Sequence, residues 1–72
     1  MTQPAKEFKL RTGFIELDNL LKSTGVVSSG AEAKIIIREG SVKVNDAVEN
    51  RVRRKLHAGD TVIFGDNKIR VT

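Results

Sequence analysis

The residues best suited to chemistry in this chain are the basic side chains of a short run between positions 51 and 55. They are Arg51, Arg53, Arg54 and Lys55. Cations this close together repel one another, so a polyanion that pairs with them is stabilised. The chemistry that this run predicts is phosphate binding. The alternative is an exposed connection between two elements that happens to be basic.

A second group of basic residues has the spacing of ordered elements. Lys34 and Arg38 are four residues apart, which places them on one face of a helix. Lys43 follows at an outward position of a predicted strand. Residues 41–55 contain five Lys or Arg and two Asp or Glu, so +3 of the net charge of +4 lies in this segment. These residues either form a solvated face or extend the phosphate-binding surface.

Three small or polar residues are further candidates for contact with the same ligand. Ser29 is best explained as a helix N-cap, although free N–H groups at a helix start also bind phosphate. Gly30 lets a backbone approach closely. Asn45 suits a tight turn, with contact to a base or ribose as the less favoured alternative. We include all three among the candidate binding residues.

Catalysis and metal binding have little support in the sequence. The chain has one histidine, His57, and no cysteine, which argues against a metal site and excludes a disulfide. It has no Walker-type glycine-rich loop, and no base-activated nucleophile can be argued. We therefore expect a protein that is not an enzyme and that uses neither a cofactor nor a small-molecule substrate.

Two helices are predicted from hydrophobic spacing and capping residues. Apolar residues at near-helical spacing predict a first helix over residues 13–24. A second helix begins with a capping box, in which Ser29 caps an amide and Glu32 reaches back to it, and ends at Gly40. The short connection of residues 26–28 predicts that the helices form an antiparallel pair.

Alternation of apolar and polar residues predicts short strands before and after the helices. A hairpin follows the second helix, with Asn45-Asp46 as its two-residue turn and residues 47–51 as its returning strand. The other strands are predicted over residues 7–11, 61–64 and 68–71. Leu56 is assigned to a turn that runs as far as Asp60.

Length and composition limit the architecture. Seventy-two residues make one domain, with residues 1–6 as a loose end and residues 7–72 as the folded part. No apolar run is long enough to span a membrane, and we expect a cytoplasmic monomer. The aromatic residues, Phe8, Phe14 and Phe64, all stand at apparent core positions. The sequence therefore predicts no aromatic platform for base stacking, which argues against a single-stranded nucleic acid as the ligand.

A longer pattern of apolar, glycine and polar residues runs from Leu17 to Val62. It comprises Leu17-Asp18, Leu21, Gly25, Ser29, Ala33, Ile36-Ile37, Gly40, Val42-Lys43-Val44-Asn45, Leu56, Gly59-Asp60 and Val62. In these residues and their spacing the chain resembles the RNA-binding domain named after small-subunit ribosomal protein four, also called the alpha-L RNA-binding motif. In particular, it resembles short, stand-alone members of this family, of the YbcJ type.

The resemblance implies an α+β fold, with two antiparallel helices packed on a small, mostly antiparallel sheet of about four to five short strands. It also implies binding of structured RNA, such as ribosomal RNA or tRNA, by the second helix and the neighbouring hairpin. On this basis we predict that Lys34, Arg38, Lys43 and the basic run contact RNA. The alternative is a protein-interaction module associated with the ribosome or an RNA-processing enzyme. The salt dependence of binding separates the two hypotheses.

The chain departs from the family pattern at three positions. Glu16 and Gly30 stand where the family often has arginine, and Asp46 stands where it usually has glycine. The first two differences remove cations from the helical surface that members of the family turn toward RNA, and they leave the fold intact.

Overall fold

The computed structural model describes residues 6–72, which form two helices and seven short strands. The helices are α1 (Leu17–Ser23) and α2 (Gly30–Arg38). The strands are β1 (Lys6–Phe8), β2 (Ile15–Glu16), β3 (Val42–Val44), β4 (Ala47–Val48), β5 (Lys55–Leu56), β6 (Thr61–Phe64) and β7 (Asn67–Val71). The sequence predicts a loose end over residues 1–6. Residues 1–5 of this segment lie outside the described residues, and Lys6 belongs to β1.

Five of these strands form one sheet in the order β1-β7-β6-β3-β4, and β2 pairs with β5 in a separate two-stranded sheet. Among the described strands only β1 and β7 run parallel to each other, with Phe8 opposite Val71. The other pairs are antiparallel. The predicted architecture, two helices with a small and mostly antiparallel sheet, is confirmed.

One cluster of aliphatic side chains joins the helices to the strands. It consists of Leu17, Leu20, Leu21, Val27, Ala33, Ile36, Ile37, Val42, Val44, Leu56, Val62, Ile69 and Val71. Along β3 and β7 buried residues alternate with exposed cations, so Lys43, Lys68 and Arg70 face solvent. Neither described helix has the length and apolar character needed to cross a membrane.

The first helix begins at Leu17 and not at the predicted residue 13. The residues before it are extended because β2 pairs with β5. The first N–H groups of α1 then donate to carbonyls of the chain between β4 and β5. The Leu17 N–H donates to the Arg54 carbonyl at 2.9 Å, and the Asp18 N–H donates to the Val52 carbonyl at 3.1 Å. The same pairing makes Leu56 a strand residue, which corrects its assignment to a turn.

Each helix is followed, one residue after its C-cap, by the glycine at which the sequence predicts it to stop. Gly25 and Gly40 have φ angles of 76° and 82°, in the left-handed region that glycine adopts at little cost. Their N–H groups donate to the Lys22 and Ile37 carbonyls at 3.1 Å each. Carbonyls of the last helical turns, which lack partners within the helix, are satisfied in this way.

The predicted N-cap of α2 is confirmed, but the reciprocal half of the capping box is wrong. Ser29 Oγ accepts the Glu32 N–H at 3.2 Å. The Glu32 carboxylate does not reach back to Ser29; it accepts a hydrogen bond from Ser28 Oγ at 2.8 Å. A hydroxyl group can rotate toward a nearby carboxylate, so Ser28 supplies the donor that the capping box assigns to the Ser29 backbone.

Replacing Ser29 by alanine is expected to lower the free energy of unfolding by about 1 kcal/mol, because an N–H of the first turn of α2 loses its acceptor. RNA affinity is expected to change little, since the hydroxyl is already engaged with Glu32. Urea unfolding and RNA titration of the same variant measure the two quantities. Loss of binding at unchanged stability would show instead that the hydroxyl contacts the ligand.

The segment after α2 forms the predicted hairpin. Asn45 and Asp46 have φ angles of 51° and 69°, as the two central residues of a type I′ turn require. The returning strand ends at Val48, before the predicted Arg51. The Glu49 N–H still donates to the Val42 carbonyl of β3 at 3.0 Å. Glu49 is buried, and its carboxylate accepts the Arg51 N–H at 3.0 Å.

Candidate nucleic-acid interface

An open groove lies between α2 and the connection of residues 49–54. We call it the basic groove, and its lining residues are Asp18, Gly30, Ala31, Lys34, Arg38, Asn50, Val52 and Arg53. Two of its cations come from the helix and one from the connection, and Asp18 is the acidic member of the set. The structure thus brings Lys34, Arg38 and Arg53 together with Gly30.

The helix presents its cations to the groove because its other face is buried. Ala33, Ile36 and Ile37 pack in the core, whereas Lys34 and Arg38, one turn apart, are exposed. Neither cation forms an ion pair with a carboxylate of the described residues. Their positive charge is therefore available to a ligand in the groove.

Hydrogen bonds to both helices hold the connection beside α2. The Arg54 and Val52 carbonyls accept from the first N–H groups of α1, as described above. Asn50 Nδ2 donates to the Arg38 carbonyl at the end of α2 over 3.5 Å. Because the connection contacts the beginning of one helix and the end of the other, Arg53 is placed between them.

Glu49 organises the same connection from inside the protein. Its side chain is 8% exposed. It accepts hydrogen bonds from the backbone N–H, Nε and Nη2 of Arg51 at 3.0–3.1 Å, and from Arg54 Nη1 at 2.6 Å. The side-chain hydrogen bonds from Arg51 lower the pKa of Glu49 to about 2; burial opposes the change and the Arg54 hydrogen bond adds to it. The carboxylate is therefore ionised at neutral pH and holds both guanidinium groups.

Glu49 is not among the residues that the sequence singles out. The signal that identifies it is an acidic residue shortly before a run of cations, since a carboxylate there can pair with arginines that otherwise repel one another. As a result the basic run divides into two pairs. Arg51 and Arg54 bind Glu49, whereas Arg53 and Lys55 have no carboxylate within ion-pair distance among residues 6–72.

The four cations of the basic run still share one surface. Arg51, Arg53, Arg54 and Lys55 line a shallow depression, and Arg53 also lines the basic groove. The Arg51 side chain is 74% exposed despite its ion pair, and that of Arg54 is 30% exposed. Arg51 therefore keeps donors free for a second acceptor, while Arg54 is mainly a structural partner of Glu49.

Lys43 and Asn45 lie outside the basic groove. Lys43 is exposed on β3. The Asn45 side chain is engaged within the fold: its amide oxygen accepts the Thr61 N–H at 3.0 Å, and Nδ2 donates to Asp60 Oδ1 at 2.9 Å. The positive φ of the turn and these two hydrogen bonds account for Asn45 without a ligand. Contact of these two residues with RNA stays a prediction, as it does for the residues of the groove.

Phe14 is not in the core, contrary to the expectation from its helical spacing. It is 41% exposed, because the residues before α1 are extended and pair with β5. Its ring centroid is 6.3 Å from that of His57, and Lys55 Nζ lies 5.0 Å from the Phe14 centroid. Phe8 and Phe64 are half-buried against the core. The chain therefore does expose an aromatic ring, which corrects the expectation that it lacks one.

The side chains of this surface are chemically suited to binding anions. The groove and the depression offer guanidinium and ammonium groups, whose hydrogen bonds to phosphate oxygens are assisted by charge. Within the described part of the chain, no three His, Cys, Asp or Glu side chains come together as a metal site.

Comparisons with known proteins agree with one another. The family model described as "S4 domain" matches residues 8–72. "Putative RNA-binding protein YbcJ" of Escherichia coli (strain K12) is 53% identical over 57 residues, which cover 79% of this chain and 81% of that protein. "Probable ribosome maturation protein RlbA" of Bacillus subtilis (strain 168) is 41% identical over 58 residues, which cover 81% of this chain and 82% of that protein.

A solved structure has the same architecture. It is the solution structure of YbcJ from E. coli, described as revealing an alfa-L motif involved in RNA binding. The two structures match with a TM-score of 0.75 at 44% sequence identity, and the match covers 100% of this chain and 92% of that chain.

Proposed function

This chain belongs to the S4 domain family, as its resemblance in sequence indicates, and from that premise we propose that it binds structured RNA through the basic groove without catalysing a reaction. The observation that carries the proposal is the meeting of Lys34, Arg38 and Arg53 in one groove. Among the described residues, none of the three has a carboxylate partner.

An open groove with cations on a helix and on a hydrogen-bonded connection suits the backbone of a folded RNA. Each phosphate that a Lys or Arg neutralises releases condensed counterions, which supplies affinity without reading sequence. Folded RNA presents its phosphates at set spacings, which a helix and a hydrogen-bonded connection can match. Small-molecule sites, in contrast, enclose most of their ligand, so the openness of the groove favours a macromolecule.

Ribosomal RNA is the first class of ligand that we propose. YbcJ is named for RNA binding and RlbA for ribosome maturation, and we extend both to this chain as part of the proposal. A tRNA-like fold is the second class. We further propose that the protein acts as a cytoplasmic monomer, which sedimentation and cell fractionation test.

A hairpin RNA is expected to bind more tightly than an unstructured oligomer of equal length at matched salt, because its phosphates are already ordered. Fluorescence anisotropy titrations at several salt concentrations measure both affinities, and the logarithm of the binding constant is expected to fall linearly with the logarithm of salt. Tighter binding of the unstructured oligomer would contradict the proposal. Absence of salt-dependent binding to either RNA would favour a protein-interaction module.

A further inference from the structure

The exposed ring of Phe14 is the feature that phosphate binding leaves unexplained. Phe14 belongs neither to the core cluster nor to the partly buried residues packed against it. His57 lies beside it with the ring planes tilted by 49°, and the Lys55 ammonium lies 5.0 Å from its ring centroid. We call these three residues the Phe14 cluster.

Strand pairing holds the Phe14 cluster in position. Ile15 of β2 lies opposite Leu56 of β5, so the residues adjacent to this pair, Phe14 and His57, meet across the two strands. Leu56 is fully buried and anchors β5 to the core. The ring is therefore displayed next to a hydrogen-bonded element, and ordering it for a ligand costs little conformational entropy.

The Phe14 cluster is continuous with the positive surface. Lys55 also lines the shallow depression that it shares with Arg51, Arg53 and Arg54, and Arg53 lines the basic groove. An RNA strand whose phosphates follow the groove and the depression therefore brings its next nucleotides to the Phe14 ring.

We propose that Phe14 stacks on an unpaired nucleobase of the bound RNA, while Lys55 binds a phosphate next to that base. The inference rests on the proposed function and names the feature that the site selects, an unpaired base beside a paired stem. Every nucleobase has a π-face, so one aromatic ring can stack on it without a required sequence. The Lys55 ammonium can cover only one of the two faces of the Phe14 ring.

A protein partner matches this cluster less well. Protein-binding surfaces are usually contiguous apolar patches of a few hundred Å² or more. Phe14 instead has a cation and an imidazole beside it. The other large apolar side chains exposed within residues 6–72, Ile35 and Val48, belong to α2 and β4. Positive charge around a single ring is the arrangement that a nucleotide fits.

The test compares a fully paired RNA duplex with the same duplex carrying one unpaired 2-aminopurine nucleotide as a bulge. Phe14→Ala is expected to weaken binding of the bulged duplex about fivefold to a hundredfold, the effect of losing one base–aromatic stack. Binding of the paired duplex is expected to stay as in the wild type. Phe14→Tyr keeps the ring and is expected to bind both as the wild type does. Val48→Ala, which shortens an exposed apolar side chain on β4, is the matched control.

Fluorescence of the 2-aminopurine supplies a second readout, because it responds to stacking. The fluorescence is expected to change when the wild type binds the bulged duplex and to stay unchanged when Phe14→Ala binds it. If Phe14→Ala binds both duplexes as the wild type does, stacking is overturned and the proposed function stands. An equal loss for both duplexes also overturns it, because the ring then does not distinguish an unpaired base. Failure of the wild type to bind either duplex overturns both proposals.

Discussion

Replacing Lys34 and Arg38 together by alanine is expected to weaken binding to every structured RNA tested and to flatten the log–log salt slope by up to about 2, because each lost phosphate contact removes close to one unit. If the slope flattens by about 2, the ratio of the wild-type binding constant to that of the variant grows about a hundredfold when salt is diluted tenfold. Both side chains are exposed, so stability is expected to change little. Anisotropy titrations over a series of salt concentrations measure the effect.

The matched control is Lys68→Ala combined with Arg70→Ala. It removes the same charge from β7, where both side chains are exposed and lie outside the set that lines the basic groove. Its effect on affinity is expected to be much smaller. Equal losses for the two double variants would show that overall positive charge drives binding. A loss confined to the control would place the ligand on the sheet and contradict the groove.

Features of the fold that one or two residues determine can be predicted from the sequence. Asn45 and Asp46 tolerate positive φ, and Ser29 can accept the Glu32 N–H, wherever the rest of the chain lies. The start of α1 cannot be predicted in this way, because it depends on pairing between β2 and β5, which are far apart in sequence. Phe14 continues the apolar spacing of α1 but stands before that pairing, so the spacing wrongly assigns it to the core.

The helical half of the candidate site is predictable, and the half supplied by the connection is not. Lys34 and Arg38 share a face on any helix with this spacing. The place of Arg53, in contrast, depends on hydrogen bonds from the connection to both helices. Glu49 stands among polar residues of a predicted hairpin, and nothing in the alternation shows that its carboxylate turns inward to bind two arginines.

Replacing Glu49 by glutamine is expected to lower the free energy of unfolding at neutral pH by about 1 to 3 kcal/mol, and the loss is expected to shrink as the pH falls toward 2. The pKa of Glu49 is about 2 in the folded protein against an ordinary 4.5, so over this range the folded state binds fewer protons than the unfolded state. The stabilisation by the ionised Glu49 carboxylate is therefore complete above about pH 4.5 and is lost progressively as the pH falls from there toward 2. Water screens the charge of the exposed Arg51, so the loss of unfolding free energy is expected to be smaller than the full equivalent of the pKa change.

Urea unfolding of both proteins at a series of pH values measures this difference. Glu7→Gln is the matched control, because Glu7 is an exposed residue of β1 with no ion pair among the described residues; its effect is expected to be small at every pH. A deficit of Glu49→Gln that stays undiminished toward pH 2 would mean that the carboxylate charge is not the stabilising feature.

The same substitution also separates two accounts of RNA binding. Glu49→Gln raises the net charge by one and frees Arg51 and Arg54, so if charge alone mattered it would bind RNA more tightly. If Glu49 instead holds the connection that places Arg53 in the basic groove, the variant is expected to bind more weakly, because the cations must be ordered when RNA binds. Titration with the hairpin RNA at neutral pH decides between them, once circular dichroism has been used to check that the variant is folded. We expect the weaker binding, since the hydrogen bonds of Glu49 fix the backbone at Arg51 as well as the two side chains.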